Sequence, residues 1–374
     1  MTLPADYSCN SPLDRDTLFP QLPGNRPMEL RPCGKTGLRL PLLGMGCWAY
    51  GGGEYWGAQD QRDVDAVVRT AIEHGCNVFD TAEAYNDGAS ESSLGAALQG
   101  LPRDRVIIGT KISPSNTEPK ALAEHCEASL RRLQTDYIDL YLVHWPITPH
   151  SIRHFADGPV PTPSVPDAFA ALARLQQAGK IRWIGVSNFG RTRLAEALAT
   201  GVKIAANELP YSLLSRAIEL EILPFCREQG IGVLAFMPLM QGVLGDAYPA
   251  LADIPARRRR TRHFSSSGNP LCRHGMPGAE AETAAALEAI RAVAKRLGLT
   301  TAELALKWAF AGEGITSSLC GSRNIRQLEA NLKAAKTPLD PADRAELGRI
   351  TQPLLAALGP SFDYYENPAN DRTE

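Results

Sequence analysis

The sequence carries almost no net charge: 39 Lys and Arg against 41 Asp and Glu leave −2 over 374 residues. That balance generates no electropositive field, so neither nucleic acid nor an anionic membrane is an expected partner. Paired cysteines are also missing. The eight cysteines (Cys9, Cys33, Cys47, Cys76, Cys126, Cys226, Cys272, Cys320) are scattered without one Cys-x-x-Cys, which argues against a disulfide framework and against a structural metal site. No run of about 18 apolar residues occurs, so no membrane-spanning helix is expected. Met1–Tyr7 has neither the basic nor the apolar part of a secretion signal, and a cytoplasmic location is the expectation. No Gly-x-Gly-x-x-Gly follows the first strand-like run: Gly44-Met45-Gly46 is too short, and Gly51-Gly52-Gly53 precedes a polar loop.

What the chain does have is repetition. Apolar runs of strand length lie near 41–47, 77–81, 106–111, 138–144, 181–187, 204–209, 232–238 and 316–320. Between them, segments rich in Ala, Leu, Glu and Arg with helical spacing cover 62–75, 90–99, 119–133, 167–178, 191–200, 215–229 and 282–297, with further helices at 301–311 and 324–335. Near-continuously apolar strands alternating with helices imply a parallel sheet covered on its faces. Eight such repeats suit an α/β fold of the closed (β/α)8 TIM-barrel type, with extra helices and long loops on its C-terminal face; an open doubly wound sheet is the alternative. Residues 1–27, rich in Pro, Asp and Asn, read as an N-terminal arm, 28–350 as the barrel, and 351–374 as a C-terminal tail.

Three consecutive strands end in ionisable side chains. Val78-Phe79-Asp80 ends in an acid with Tyr85 five residues on, Val106–Lys111 ends in a lysine, and Ile138–His144 ends in a histidine. The C-terminal strand ends of a parallel barrel share one face, so these groups are expected to converge there. Singly, each has an ordinary reading: strand cap, loop aromatic, solvated lysine, core histidine. Together on neighbouring strand ends they suggest chemistry.

The motifs around them are Phe79-Asp80-Thr81-Ala82-x-x-Tyr85 with Gly88-x-Ser90-Glu91, Gly109-Thr110-Lys111, Asp136–Pro146, Gly179–Phe189, and Gly321-Ser322-Arg323-x-x-x-Gln327-x-x-x-Asn331. On these the chain resembles the aldo-keto reductase superfamily over about residues 28–335. The resemblance implies an oxidoreductase that reduces an aldehyde or ketone with a nicotinamide cofactor, reverse alcohol oxidation included. It places a catalytic tetrad on Asp80, Tyr85, Lys111 and His144. The chemistry needs these types together: hydride addition leaves an alkoxide, so a proton donor must stand within reach of that oxygen. Tyr85 would supply the proton, Lys111 would favour its phenolate, Asp80 would hold the lysine, and His144 would orient the carbonyl.

The same resemblance gives the cofactor contacts. Gly46, Cys47 and Trp48 follow the first strand, with Trp48 and Trp145 also facing substrate. Ser187 and Asn188 would bond the nicotinamide carboxamide, although both residue types also cap helices well. Phe236 would stack on the nicotinamide, beside Pro238 and Leu239. Gly321, Ser322 and Arg323 would meet the phosphate on the adenosine ribose, with Gln327 and Asn331 at the adenine end, which favours NADP(H) and leaves NAD(H) open. Glu208 stands where relatives commonly carry a glutamine that contacts the carboxamide. Ionised and close to the ring, it would favour oxidised over reduced cofactor; the alternative is that it pairs with a neighbouring base or is protonated. Two long loops, 145–166 and about 240–280, and the tail around Phe362–Glu366 are expected near the pocket. The loop arginines Arg257–Arg260 and Arg262 read either as a solvated face or as a lid near the cofactor phosphates. A cofactor-sensing regulatory subunit and an aldolase using Lys111 as a Schiff-base nucleophile are the other functional readings.

Overall fold

A computed structural model describes residues 28–156 and 158–374; the N-terminal arm expected at 1–27 lies outside the described residues. A short antiparallel hairpin, β1 (Leu30–Pro32) and β2 (Arg39–Pro41), comes first. Then follow β3 (Leu43–Gly46), β4 (Val78–Asp80), β5 (Ile107–Ile112), β6 (Ile138–Val143), β7 (Ile181–Ser187), β8 (Ile204–Pro210), β9 (Gly232–Phe236) and β10 (Ile315–Cys320). Each of these pairs in parallel with the next, and Ser318 opposite Leu43 joins β10 to β3, so the sheet closes. Closure rules out the open doubly wound alternative.

The strand sequences explain the two layers. Side chains alternate sides along a strand, so Val78, Ile107, Leu140 and Leu142 point into one buried cluster while Phe79, Ile108, Tyr141 and Val143 point into the other. The first cluster fills the barrel interior with Ala206, Leu234 and Leu319; the second lies under the helices. Each fully buried large side chain contributes about 1.5–3 kcal/mol. Cys33, Leu38 and Leu40 of the hairpin join the interior cluster and seal the N-terminal end of the barrel. Gly34 allows that closure: at φ +57, a Cβ there would stand 2.0 Å from the Gly230 carbonyl oxygen.

Helices α1 (Gln61–Glu73), α2 (Ala89–Ala97), α3 (Pro119–Leu133), α4 (Pro149–Ile152), α5 (Val165–Gln177) and α6 (Arg191–Ala199) cover one part of the barrel. α7 (Ile222–Gln229), α8 (Glu280–Arg296), α9 (Thr301–Phe310) and α10 (Ile325–Ala335) cover the rest. Side-chain caps set several starts, among them Asp60 for α1, Ser164 for α5 and Asn324 for α10. The helix expected over 215–229 begins only at Ile222. Ser212 Oγ accepts from the Leu214 and Ser215 amides, and Arg216 pairs with Glu219 at 2.7 Å, so side chains hold this stretch as turns. Three helices were not legible: the four-residue α4 inside the loop expected over 145–166, α11 (Pro341–Ile350) and α12 (Gln352–Leu358), the last of which buries Leu354, Leu355 and Leu358 against the core. Among the described residues no helix is long and apolar enough to cross a membrane.

Candidate active site

The parallel barrel brings the strand-end residues together at one mouth. Asp80 closes β4, Lys111 is the penultimate residue of β5, and His144 follows β6 directly. Lys111 Nζ donates to Asp80 Oδ1 and Oδ2, both at 2.6 Å, to the Thr81 carbonyl at 2.9 Å, and to the Tyr85 hydroxyl at 3.4 Å. The His144 ring lies 5.6 Å from the Tyr85 ring, edge to face, and its Nδ1 has no protein partner among the described residues. Lys111 is wholly buried, and Asp80 and His144 nearly so.

Burial and charge act against each other here. Burial pushes the Lys111 ammonium down, but Asp80, bonded to it at 2.6 Å, outweighs that and holds the group charged. Burial raises the Tyr85 phenol; Lys111 pulls it down, while Asp80 pushes it up. His144 is held well below the usual histidine range by burial first, then by Lys111 and Arg372, so its imidazole is neutral. The site therefore holds a charged lysine, a neutral phenol and a neutral imidazole side by side.

Around this centre the structure spreads the remaining sequence-selected residues. Ser187 Oγ donates to the Glu208 carbonyl at 3.1 Å; Asn188 Nδ2 donates to the His144 carbonyl at 3.1 Å and to Ser187 Oγ at 3.0 Å. Asn188 sits at φ 62, a conformation asparagine tolerates. With both amide hydrogens used, its Oδ1 is the atom left for a ligand. Phe236 is half-buried at the end of β9, with Pro238 buried and Leu239 half-buried just beyond. Gly46 and Gly321 approach closely, a Cβ on Gly321 standing 3.3 Å from the Gly46 carbonyl. Cys47 is buried and its amide donates to the Asp80 carbonyl at 2.8 Å.

At the far end, Ser322 Oγ accepts from Asn331 Nδ2 at 3.0 Å, and Gln327 Oε1 accepts from the Arg323 amide at 2.8 Å. The Arg323 guanidinium does not stand open. It donates to Gln59 Oε1 at 2.9 Å, the Trp56 carbonyl at 2.9 Å and the Ala58 carbonyl at 2.5 Å. Glu208 does not stand alone before a ligand either: its Oε2 lies 3.3 Å from Lys111 Nζ.

Sequence reasoning missed the loop between β3 and α1. Trp48 packs against Tyr85 at 5.9 Å and stacks on Tyr55 at 5.0 Å, and the Tyr55 hydroxyl donates to Gln241 Oε1 at 2.6 Å. Gln241 also donates to the Tyr365 hydroxyl at 3.0 Å, so this loop, the loop after β9 and the tail meet over the mouth. The signal was present in Tyr55 and Trp56 following three glycines, but aromatic loop residues have no period to read. The arginine-rich segment is neither one solvated face nor one patch. Arg257 donates to the Glu54 carbonyl at 2.7 Å, Arg258 to the Gln241 carbonyl at 3.0 Å, and buried Arg262 to the Leu358 and Ser361 carbonyls at 2.5 and 2.6 Å. In the tail, Arg372 pairs with Asp363 at 2.7 Å and lies 3.8 Å over the Trp145 ring, while Glu366 accepts from Arg273 at 2.5 Å and lies 3.3 Å from His154.

Comparison with known proteins agrees with this geometry. Residues 42–352 match the model of the Aldo/keto reductase family. The chain is similar to the NADH-specific methylglyoxal reductase of Escherichia coli (strain K12), 32% identical over 348 residues, covering 87% of this chain and 99% of the relative. It is also similar to aldo-keto reductase YhdN of Bacillus subtilis (strain 168), 30% identical over 349 residues, covering 90% and 97% of the two chains. Among solved structures, the aldo-keto reductase from Klebsiella pneumoniae in complex with NADPH superposes with a TM-score of 0.64 at 28% identity, covering 92% of this chain and 98% of that one. The closed eight-stranded barrel, the lysine set between an acid and a phenol at its mouth, and these likenesses agree, and the chain belongs to the aldo/keto reductase family.

Proposed function

We propose that this oxidoreductase reduces an aldehyde or ketone to the alcohol, taking hydride from NADPH in preference to NADH, with Tyr85 as the proton donor. The single observation that carries the reading is the Lys111 ammonium, fixed by Asp80 at 2.6 Å and reaching the Tyr85 hydroxyl at 3.4 Å. A bound nicotinamide would supply the hydride to the carbonyl carbon. Tyr85 gives its proton to the carbonyl oxygen as charge develops there, and Lys111 stabilises the phenolate left behind. His144, neutral and with a free ring nitrogen, bonds the carbonyl oxygen and aims the carbon at the hydride. The reverse direction runs through the same groups.

The residues suit a nicotinamide group. Asn188 keeps an unspent Oδ1 for the carboxamide NH2 beside Ser187, and Phe236 offers a half-buried ring at the end of β9. Gly46, Cys47, Trp48, Pro238 and Leu239 frame that end, with Trp48 and Trp145 on the substrate side. Gly321, Ser322, Arg323, Gln327 and Asn331 would hold the adenine end, with the Arg323 guanidinium able to pair with a ribose phosphate in exchange for its bonds to residues 56–59. The relatives support both cofactors: one solved structure holds NADPH, while the E. coli relative is named NADH-specific.

The aldolase reading meets a physical obstacle. A Schiff base needs a neutral amine, and Asp80, bonded to Lys111 at 2.6 Å, holds that lysine charged. Since the E. coli relative is named for methylglyoxal, short 2-oxoaldehydes lead the substrate panel. The test is oxidation of NADPH and NADH at equal concentration against methylglyoxal, simple aldehydes, aromatic carbonyls and ketones. Carbonyl-dependent oxidation faster with NADPH is expected. No oxidation with any carbonyl favours a cofactor-sensing subunit instead.

A further inference from the structure

The mouth of the barrel holds one carboxyl more than the proposed chemistry uses. Glu208 lies in β8, across the barrel from β4 and β5, and is 2% exposed. Its Oε2 stands 3.3 Å from Lys111 Nζ yet makes no hydrogen bond among the described residues. A count of donors explains this. An ammonium has three N–H groups, and Lys111 directs them to Asp80, the Thr81 carbonyl and the Tyr85 hydroxyl. None remains for Glu208. Asp80 takes both of its contacts at 2.6 Å and is the natural counterion; a second ionised carboxyl would leave an uncompensated negative charge in a dry site.

The groups facing Glu208 can be named element by element. Asp80 comes from β4, Lys111 from β5 and Tyr85 from the loop after β4; Cys47 at the end of β3 and His144 at the end of β6 border the same Lys111. The flanking strands add only Ser187 and Leu234 opposite it in register. Lys111 is thus the one cation in this set, and Asp80 already holds it. Burial and Asp80 push the Glu208 carboxyl well above the usual range, against the pull of Lys111, and Asp80, which shares the Lys111 ammonium with it, is the anion in this set that can accept its proton.

We propose that Glu208 is a positioning residue that stays protonated at neutral pH, donates to Asp80, and so leaves the third N–H of Lys111 to Tyr85. A protonated carboxyl both donates and accepts, like an amide, which explains how glutamate can stand at this position without placing a charge beside the nicotinamide. On loss of the proton, a second anion competes for Lys111 and opposes phenolate at Tyr85, so proton donation slows. The sign is definite: carbonyl reduction falls as pH rises through the ionisation of Glu208, and a neutral side chain there removes that fall.

This inference rests on the reductase reading, and the experiment separates the two. The kcat/KM for carbonyl reduction is measured from neutral to alkaline pH in the wild type and in Glu208→Gln. The ratio of alkaline to neutral kcat/KM is expected to be about tenfold higher in the variant, equivalent to moving the alkaline limb by about one pH unit. Superimposable profiles overturn the proposal. Infrared difference spectra of the wild type taken to alkaline pH provide a second readout, independent of turnover and of whether the variant folds. A protonated-carboxyl C=O band persisting at pH 7 and lost only under alkaline conditions supports it; absence of that band at pH 7 overturns it. If no carbonyl is reduced at any pH, the reductase reading fails while the infrared band still decides the state of Glu208.

Discussion

At the scale of single residues, the centre is a buried ion pair serving a phenol. Removing one partner of such a pair strands the other. Lys111→Met leaves Asp80 without its counterion and is expected to cost about 3–5 kcal/mol of stability, read as a lower denaturant midpoint. Adding Asp80→Asn to Lys111→Met should recover most of that stability without recovering turnover. A single variant as stable as the wild type would contradict the pairing. Asp80, Tyr85, Lys111 and His144 were legible because each ends or follows a strand whose apolar run is plain in the sequence. The partnership of Glu208 with Lys111 was not. The two lie on β8 and β5, and only closure of the barrel brings them to 3.3 Å, a distance that no local pattern encodes. Of the two expectations for Glu208, a charge beside the nicotinamide or a partner of a neighbouring base, its place 3.3 Å from Lys111 favours the second.

At the scale of elements, the loops above the mouth are held by specific bonds from arginine to backbone carbonyls. Arg262 ties the segment after β9 to the end of α12 and the residues beyond it, through the Leu358 and Ser361 carbonyls. Charged hydrogen bonds of this kind contribute about 1.5–3 kcal/mol each. Arg262→Ala should therefore lower the denaturant midpoint and speed amide exchange in 359–374, leaving exchange in the barrel strands unchanged. Uniform acceleration across the chain would show that Arg262 supports the barrel itself. Such ties explain why the loops were hard to read: the stretch from Arg257 to Arg262 looks like one charge run, yet its arginines reach separate carbonyls that no spacing reveals. The same holds for Arg323, which sequence alone offers to a phosphate and the structure shows bonded to residues 56–59.

At the scale of the whole molecule, the barrel was legible because eight apolar strands alternate with helices at near-regular spacing. The hairpin β1–β2 escaped because strands of three residues carry no period, and α12 because Pro353 interrupts the helical pattern just past the end of α11; α11 carried a start signal in Asp340-Pro341 that went unread. The tail is joined to the body by charge, which makes it sensitive to acid. Burial raises the Glu366 carboxyl, but bonds from His154 and Arg273 outweigh that and bring it down from 4.5 to about 2. A carboxyl depressed on folding stabilises above its unfolded pKa and loses that contribution as pH falls through the folded value. The difference in melting temperature between wild type and Glu366→Gln should be full above pH 4.5 and close as pH falls towards about 2. A difference constant across that window would remove Glu366 from the acid response. The central claim, that Tyr85 donates the proton under the influence of Lys111, is tested most directly by Tyr85→Phe. NADPH affinity should stay near wild type while the single-turnover rate of carbonyl reduction falls by about 10²-fold or more, the scale of lost general-acid catalysis. A rate within a few-fold of wild type, with cofactor bound, would contradict the account.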